Sequence, residues 1–412
     1  MPSPRTLAAV WSAKAAATAS RVLAKGGGTA IGGLVGLALQ PHLVAELARG
    51  LGRGSVVITG TNGKTTTSHL IADVARAAGL RPLANASGSN LMRGLAGTLA
   101  SAAGPGGGLA DDKRTIGVFE VDEAALPQAI EALRPRVAVF TNLFRDQLDR
   151  YGEVEAVAAR WREALAATAH TMTLVLNADD PTVASLAESS RHRAVYFGVN
   201  DKALDRGCLE HAADAITCTC GGDYEYGIAF YSHLGHWRCP ECGRMRPSTQ
   251  ITAREVDLRD GRSLAFTLGA AERGVKVEMA VGGLYNVYNA LAATAAALAL
   301  GLPEEALLAT LPRFRAAFGR QEAFEIEGRR VEVMLGKNPA GLNQVLHTLT
   351  LDPSRRTVLF VLNDRIADGR DISWIWDADF EAAAGRFDVV VCSGTRAEEM
   401  ALRLKYAEWD EA

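Results

Sequence analysis

The segment Ser55-Val56-Val57-Ile58-Thr59-Gly60-Thr61-Asn62-Gly63-Lys64-Thr65-Thr66 sets the reading of everything around it. Residues 56–59 are all β-branched, the composition of a short buried strand. Gly60 and Gly63 punctuate a turn, and an apolar-periodic run to about Ala78 follows with the pattern of a helix. A strand, a glycine-rich turn and a helix in that order form a phosphate cradle. Backbone N–H groups aim at phosphate oxygens, and the helix N-terminus adds its dipole. In such a cradle Gly60, Thr61, Asn62, Gly63, Lys64, Thr65 and Thr66 are the candidate ATP-binding residues. Lys64 is expected to meet the β- and γ-phosphates, and the Thr65 hydroxyl a Mg²⁺ ion. Ile58 stands where the longer signature carries its first glycine, so the match is to the shorter form G-x-x-G-K-T.

The alternation continues downstream. Apolar runs at 115–121, 137–142 and 173–177 are separated by helical patterns at 124–133, 154–169 and 181–188. Strands alternating with helices of this length predict an α/β fold, with a parallel sheet covered on both faces. Residues 205–250 break the rhythm with Cys, Gly, Tyr and His, as a small inserted module does. Residues 288–300 then read as an alanine-rich helix of high intrinsic propensity. Gly319-Arg320 opens a last region with strand-like runs at 331–335, 357–362 and 387–392 and a helix near 396–406. The expected organisation is a helical segment over 1–50, a P-loop domain over 51–315 with its insert at about 205–250, and a smaller Rossmann-like α/β domain over 316–412. That last domain has fewer βα units than a doubly wound domain normally has. It is therefore small, cut short, or completed by a partner.

The bulk composition narrows the field. Of 412 residues 48% are apolar and 22% charged, with 41 Gly and 14 Pro, which excludes disordered, collagen-like and coiled-coil chains. Lys and Arg number 44 against 47 Asp and Glu, so there is no basic surplus to draw in nucleic acid. The most apolar early stretch, 29–39, is about half of the roughly 20 residues a membrane-spanning helix needs. Residues 6–24 read as an amphipathic surface helix rather than a targeting peptide, and Gly104–Gly108 as a loop.

Four of the six cysteines fall within residues 218–242. Cys218-Thr219-Cys220 and Cys239-Pro240-Glu241-Cys242-Gly243 approach the pattern of a four-thiolate zinc ribbon, in which glycine after the second cysteine frees backbone N–H groups to face sulfur. The first pair is tighter than C-x-x-C, which leaves open replacement of one ligand by Cys208, His233 or His236. Structural Zn²⁺ on Cys218, Cys220, Cys239 and Cys242 is the expected arrangement, with His233 and His236 packed beside Tyr231 and Trp237 and with Cys208 and Cys392 as isolated thiols. Thiolate ligation fits a reducing, cytoplasmic setting.

Gly60–Thr66 resembles the nucleotide loop of the Mur ligases and folylpolyglutamate synthases, which join a carboxylate to an amine through an acyl phosphate. Further elements follow in the order that superfamily has. They are Asn85, Gly88, Asn90 and Gly94; Glu120; Thr141-Asn142-Leu143 with Asp146-Gln147-Leu148-Asp149 and Tyr151-Gly152; Asn177-Ala178-Asp179-Asp180-Pro181; Asn286-Val287-Tyr288-Asn289; and Gly319-Arg320. The resemblance implies Mg²⁺ on Thr65 and Glu120, and Asn286, Asn289 and Arg320 at the nucleotide. The departures are as telling. Gln147 and Tyr285 stand where amino-acid-adding members have histidines, and no lysine occurs between Tyr151 and Asn200 to supply their carbamylated lysine.

Together with the cysteine module, Lys337-Asn338-Pro339-Ala340-Gly341, Leu362-Asn363-Asp364 and Ala367–Asp377 resemble one branch, the ligase-like subunits of lipid II isoglutaminyl synthase. That resemblance implies ATP-dependent amidation of the α-carboxylate of D-glutamate in lipid II. The ammonia would come from a GatD-type glutamine amidotransferase, and one of Asp364, Asp368 and Asp371 would complete the partner's catalytic triad. It also implies a cytoplasmic protein working at the inner face of the membrane through peripheral contact. Trp374 and Trp376 are either a docking surface or core. The rival readings are a self-sufficient Mur or folylpolyglutamate-type ligase and a zinc-bearing P-loop scaffold or nucleic-acid-binding module.

Overall fold

A computed structural model describes residues 2–23, 28–85, 88–110, 113–146, 154–188, 190–211, 213–270, 273–315, 320–352, 354, 357–365 and 369–409. The strands of its first part are β1 (Ser55–Thr59), β2 (Arg81–Ala84), β3 (Thr115–Glu120), β4 (Val137–Phe140), β5 (Thr173–Asn177), β6 (Arg193–Val199), β7 (Glu225–Tyr231), β8 (Leu234–Arg238), β9 (Ile251–Asp257), β10 (Leu264–Ala270) and β11 (Arg273–Met279). Nine of these form one sheet in the order β11-β10-β9-β6-β5-β4-β1-β3-β2, while β7 and β8 make a separate hairpin.

β1 is buried along its whole length, and its alternating side chains feed two cores. Val56 and Ile58 join Val118, Val137, Val139 and Val175 on one face. Val57 joins Phe119, Ala138, Phe140, Leu174 and Leu176 on the other. The first face is covered by α4 (Lys64–Ala77) and the alanine-rich helix Leu284–Ala299. The second is covered by α1 (Pro4–Val22), α3 (Leu43–Ala48), α5 (Met92–Ala102) and the helices Leu126–Leu133 and Val154–Ala167, while α2 (Thr29–Leu39) packs between α1 and α5. β1 pairs in parallel with β3 on one side and β4 on the other. The phosphate loop therefore leaves β1 at the point where strand order reverses, the usual ligand crevice of such sheets.

The expected parallel sheet runs from β2 to β9, and β10 and β11 extend it antiparallel at the far edge. The connections around Gly261 and after Ala270 are too short for the crossover that parallel neighbours require. The run at 331–335 is a strand, and it stands outside the last sheet. It belongs to β13 (Arg329–Met334), hairpinned with β12 (Arg320–Ile326). Glu327 and Gly328 both have positive φ, the geometry of a two-residue hairpin turn. Among the described residues the last sheet holds only β14 (Thr357–Val361) and β15 (Val389–Ser393), in parallel. Its inner residues Val358 and Phe360 pack with Ile375, Phe380 and Trp409.

The alanine-rich helix starts at Leu284, four residues earlier than its composition indicates. Gly283, at φ 83°, makes the entry, and Asn286 and Asn289 lie buried in the first turns.

Candidate nucleotide site and four-cysteine cluster

A cavity of about 620 Å³ opens above the C-terminal ends of β1 and β3, lined among others by Asn62, Lys64, Glu120, Glu123, Asn289 and Lys337. Gly60 (φ 126°) and Gly63 (φ 88°) take backbone conformations that side chains rarely adopt. A Cβ at Gly60 would also meet Asn142, and one at Gly63 would meet Asn289. The loop is held from outside. The Asn62 N–H donates to Asn142 Oδ1 at 2.8 Å, and the Thr61 hydroxyl donates to Phe144 O at 3.0 Å.

Lys64 is 7% exposed. Its Nζ donates to the Gly60 carbonyl and, at 2.6 Å, to Glu123 Oε1. Burial alone would pull this ammonium down, but Glu123 and Glu120 outweigh it and hold the pKa above the ordinary lysine value. The Thr65 hydroxyl donates to Glu120 Oε2 at 2.7 Å. Glu120 is itself fixed by Asn85, which accepts its N–H at 2.9 Å and donates to its carbonyl at 2.8 Å. Glu120, Asp122 and Glu123 are all more than nine-tenths buried, and their oxygens offer the hard donor set that Mg²⁺ takes. Glu123 is the residue the sequence reading missed. The run Glu120-Val121-Asp122-Glu123 beyond β3 was its only local signal.

Asn289 lines the cavity, while Asn286 sits behind it, accepting from Asn289 Nδ2 at 3.1 Å. Arg320 begins β12, but its side chain lies outside the described residues, as do Gln147, Asp149, Tyr151 and Asp368. Asn177, Asp179 and Asp180 brace the scaffold rather than line the cavity. Asp180 accepts the Leu143 N–H at 2.8 Å, and Asp179 pairs with Arg246 at 2.5 Å and accepts from Tyr288 Oη at 2.7 Å.

The C-terminal part closes the cavity. Asn338 and Asn62 exchange two amide hydrogen bonds of 3.1 Å each, and Asn338 Oδ1 also caps the helix Pro339–Thr350. Lys337 pairs with Asp146 at 2.5 Å. The arm leading into the cysteine module crosses the same boundary. Asn343 donates to Glu210 at 3.0 Å, His211 pairs with Asp379 at 2.6 Å, and Arg145 bridges Asp214 and Asp377. Asp364 accepts from Thr395 at 2.9 Å and Arg396 at 2.8 Å, which hold its carboxyl below the usual range. Asp371 caps the turn at Ser373. Trp374 is half-buried against the last core, whereas Trp376 is 47% exposed, edge-on to Tyr406.

Cys218, Cys220, Cys239 and Cys242 converge, with all four sulfurs within 4.8 Å of one another. Cys218 and Cys242 are 3.7 Å apart and Cys220 and Cys239 3.5 Å. A tetrahedral ion with Zn–S bonds of about 2.3 Å separates its sulfurs by about 3.8 Å, so the cluster fits zinc. Gly221 and Gly243, both at positive φ, shape the two turns. Burial would raise the Cys218 thiol, but the Cys220 N–H and neighbouring donors bring it down to about 6. Cys208 and Cys392 stand apart from the cluster, and so do the two histidines. His233 packs on Phe144 and His236 on Phe230.

Residues 58–230 match the Mur ligase middle domain, and residues 335–412 match the MurT ligase C-terminal domain. The lipid II isoglutaminyl synthase (glutamine-hydrolyzing) subunit MurT of Staphylococcus aureus strain COL is 33% identical over 98% of this chain and 88% of its own. The chain belongs to the MurT family. The subunit of the same name from Streptococcus pneumoniae is 34% identical over 92% of this chain and 82% of its own. Among solved structures, a pseudomurein peptide ligase type C from Methanothermus fervidus superposes with a TM-score of 0.63 at 26% identity, covering 84% of this chain and 68% of that one. MurF from Acinetobacter baumannii shares the fold, with a TM-score of 0.61 at 18% identity over 90% of this chain and 74% of its own. The Mur ligase fold is thus common ground, and the C-terminal region and the full-length likeness single out MurT within it.

Proposed function

We propose that this chain is the ligase subunit of a lipid II isoglutaminyl synthase. It uses ATP to convert the α-carboxylate of the D-glutamate residue to an amide, with ammonia from a GatD-type glutamine amidotransferase. The observation that carries the reading is the full-length likeness to MurT subunits, joined to a phosphate cavity walled by Lys64, Glu120 and Glu123.

The chemistry follows from charge. When bound, Mg²⁺ supplies charge neutralisation on the nucleotide phosphates, and Thr65 and Glu120 are the residues that would hold it. Lys64 leaves Glu123 for phosphate oxygens and offsets the charge that develops as the substrate carboxylate attacks the γ-phosphorus. Carboxylate oxygen is a poor leaving group, and phosphorylation makes it a good one for attack by ammonia. Lys337 and Asn338 bring the C-terminal unit, residues 316–412, onto the loop of the ATP-binding unit, residues 51–315, and so limit water at the reacting carbonyl. The nucleotide contacts proposed are Gly60 to Thr66, Asn286, Asn289 and Arg320. Cys218, Cys220, Cys239 and Cys242 would hold a structural Zn²⁺ that fixes the fold of the insert, and Arg246 ties the insert to the sheet through Asp179. One of Asp364, Asp368 and Asp371 orients the partner's catalytic histidine. Of the two that lie among the described residues, Asp364 pairs with Arg396 and Asp371 caps the turn at Ser373. The work takes place at the inner face of the cytoplasmic membrane.

The test is co-purification with a GatD-type protein, followed by mass spectrometry of lipid II after addition of ATP, Mg²⁺ and glutamine. The expected product is lighter by about one mass unit, the change of a hydroxyl for an amino group, and needs both proteins. A product made by this chain alone with a free amino acid would replace the reading with a self-sufficient ligase.

A further inference from the structure

α2 is built with its small residues inside and its large ones outside. A side chain at Gly33 would strike the Arg93 carbonyl, one at Gly32 would lie 2.6 Å from the Ala13 carbonyl, and one at Gly36 would lie 2.7 Å from Leu43. The glycine face is therefore what lets α2 sit between α1 and α5. The consequence is an outward face at helical spacing, 31, 34 and 38, on which Ile31 is 42% and Leu34 59% exposed. Val22 (79%) and Leu23 (64%) at the end of α1 and Leu39 (42%) at the end of α2 extend the apolar surface. A helix that is apolar all round is ordinarily buried, and this one is not.

Its charge names the occupant. No Asp or Glu precedes Glu46, while Arg5, Lys14, Arg21 and Lys25 all do. A second copy of this face would bring like charges together, whereas an anionic lipid surface complements it. Eleven residues cannot cross a bilayer, and no helix among the described residues is long and apolar enough to do so. Arg5 donates to the Leu39 carbonyl at one end of the face and Arg21 stands in the last turn of α1 at the other, and an apolar face with cations at its ends suits the headgroup boundary instead. On its inner side α2 meets the wall of the cavity, because Gly33 packs on the backbone of Arg93, and Leu91 and Arg93 line the nucleotide site.

We infer that α2 and the end of α1 rest in the headgroup region of an anionic bilayer, with the Leu91–Arg93 edge of the cavity behind α2, against its inner face. The part played by this contact in delivering a lipid-linked carboxylate rests on the function proposed above; the contact itself does not.

The experiment is flotation of the full chain with vesicles of phosphatidylcholine, with and without about 30% phosphatidylglycerol. It is run without ATP, amidotransferase or substrate. The wild type is expected to float with the anionic vesicles and to be released by high salt. Ile31→Glu combined with Leu34→Glu is expected to cut the bound fraction about tenfold or more at an unchanged melting temperature. Arg5→Glu with Arg21→Glu lowers it without altering the apolar face, and Leu359→Glu, an exposed leucine of β14, leaves it unchanged. A wild type that does not float, a glutamate pair that floats equally well, or a wild-type dimer that the glutamate pair splits would each overturn the inference. In the complex, the glutamate pair should amidate a water-soluble short-chain substrate normally and lose about tenfold on a bilayer-embedded one. Amidation absent from every variant, wild type included, would refute the proposed function and leave the flotation result standing.

Discussion

Lys64 holds two roles that mutation can separate. Its ammonium is paired at 2.6 Å with Glu123, and the two side chains are 8% and 7% exposed. Replacing Lys64 by Met removes one partner and strands a buried carboxylate, which costs about 3–5 kcal/mol when a buried pair is broken from one side. Glu120, already hydrogen-bonded to Thr65, adds like charge to the same wall. Glu123→Gln in the Lys64→Met background removes the stranded charge and keeps the shape, so most of that loss should return, leaving the double variant within about 1–2 kcal/mol of wild type. Activity should not return with it. The transferred phosphoryl group still lacks its cation, and loss of one such group costs about 100-fold or more. Urea unfolding gives the stability arm, and ATP-dependent amide formation with the amidotransferase present gives the activity arm. The reasoning fails if Lys64→Met alone unfolds like wild type, or if the double variant recovers both stability and turnover.

Three further outcomes are expected. Cys239→Ser, at a ligand position 1% exposed, should lose the zinc that wild type carries at about one ion per chain, with a lower melting temperature; metal-free wild type of equal stability would end the zinc assignment. Asn338→Ala removes two amide hydrogen bonds to Asn62 and a helix cap, and a double-mutant cycle with Asn62→Ala should show a coupling of about 1–2 kcal/mol in kcat/KM for ATP, whereas additivity would mean the loop does not sense the C-terminal unit. The hydrogen bond from His211 to Asp379 raises the histidine's pKa, with Glu381 adding to the effect and Arg403 opposing it. Its contribution is therefore full below the unfolded value near 6.5 and fades as pH rises through the higher folded value; His211→Ala should flatten the loss of melting temperature between about pH 6 and 8.5, and an unchanged slope would remove this clasp from the account.

The phosphate loop, the alternation of β1 between two cores and the four cysteines were legible in the sequence because each is a local pattern. Glycine spacing, β-branched composition and ligand spacing act over a few residues, and the chain takes them up wherever the rest of the fold permits. The antiparallel return of β10 and β11 was hidden, since strand direction depends on which edge remains free once the parallel strands are placed. The β12–β13 hairpin was hidden for a similar reason, because Val331 meets Phe324 only after Gly328 turns the chain. Glu123 against Lys64, Asn338 against Asn62 and the outward apolar face of α2 belong to tertiary structure alone. Each depends on segments far apart in sequence arriving within hydrogen-bond or van der Waals distance. The sequence by itself determined that this chain carries a glycine-rich phosphate-loop motif and a thiolate cluster. Packing decided which carboxylate faces the Lys64 ammonium, which part of the chain closes on the loop, and which apolar residues are left facing outward.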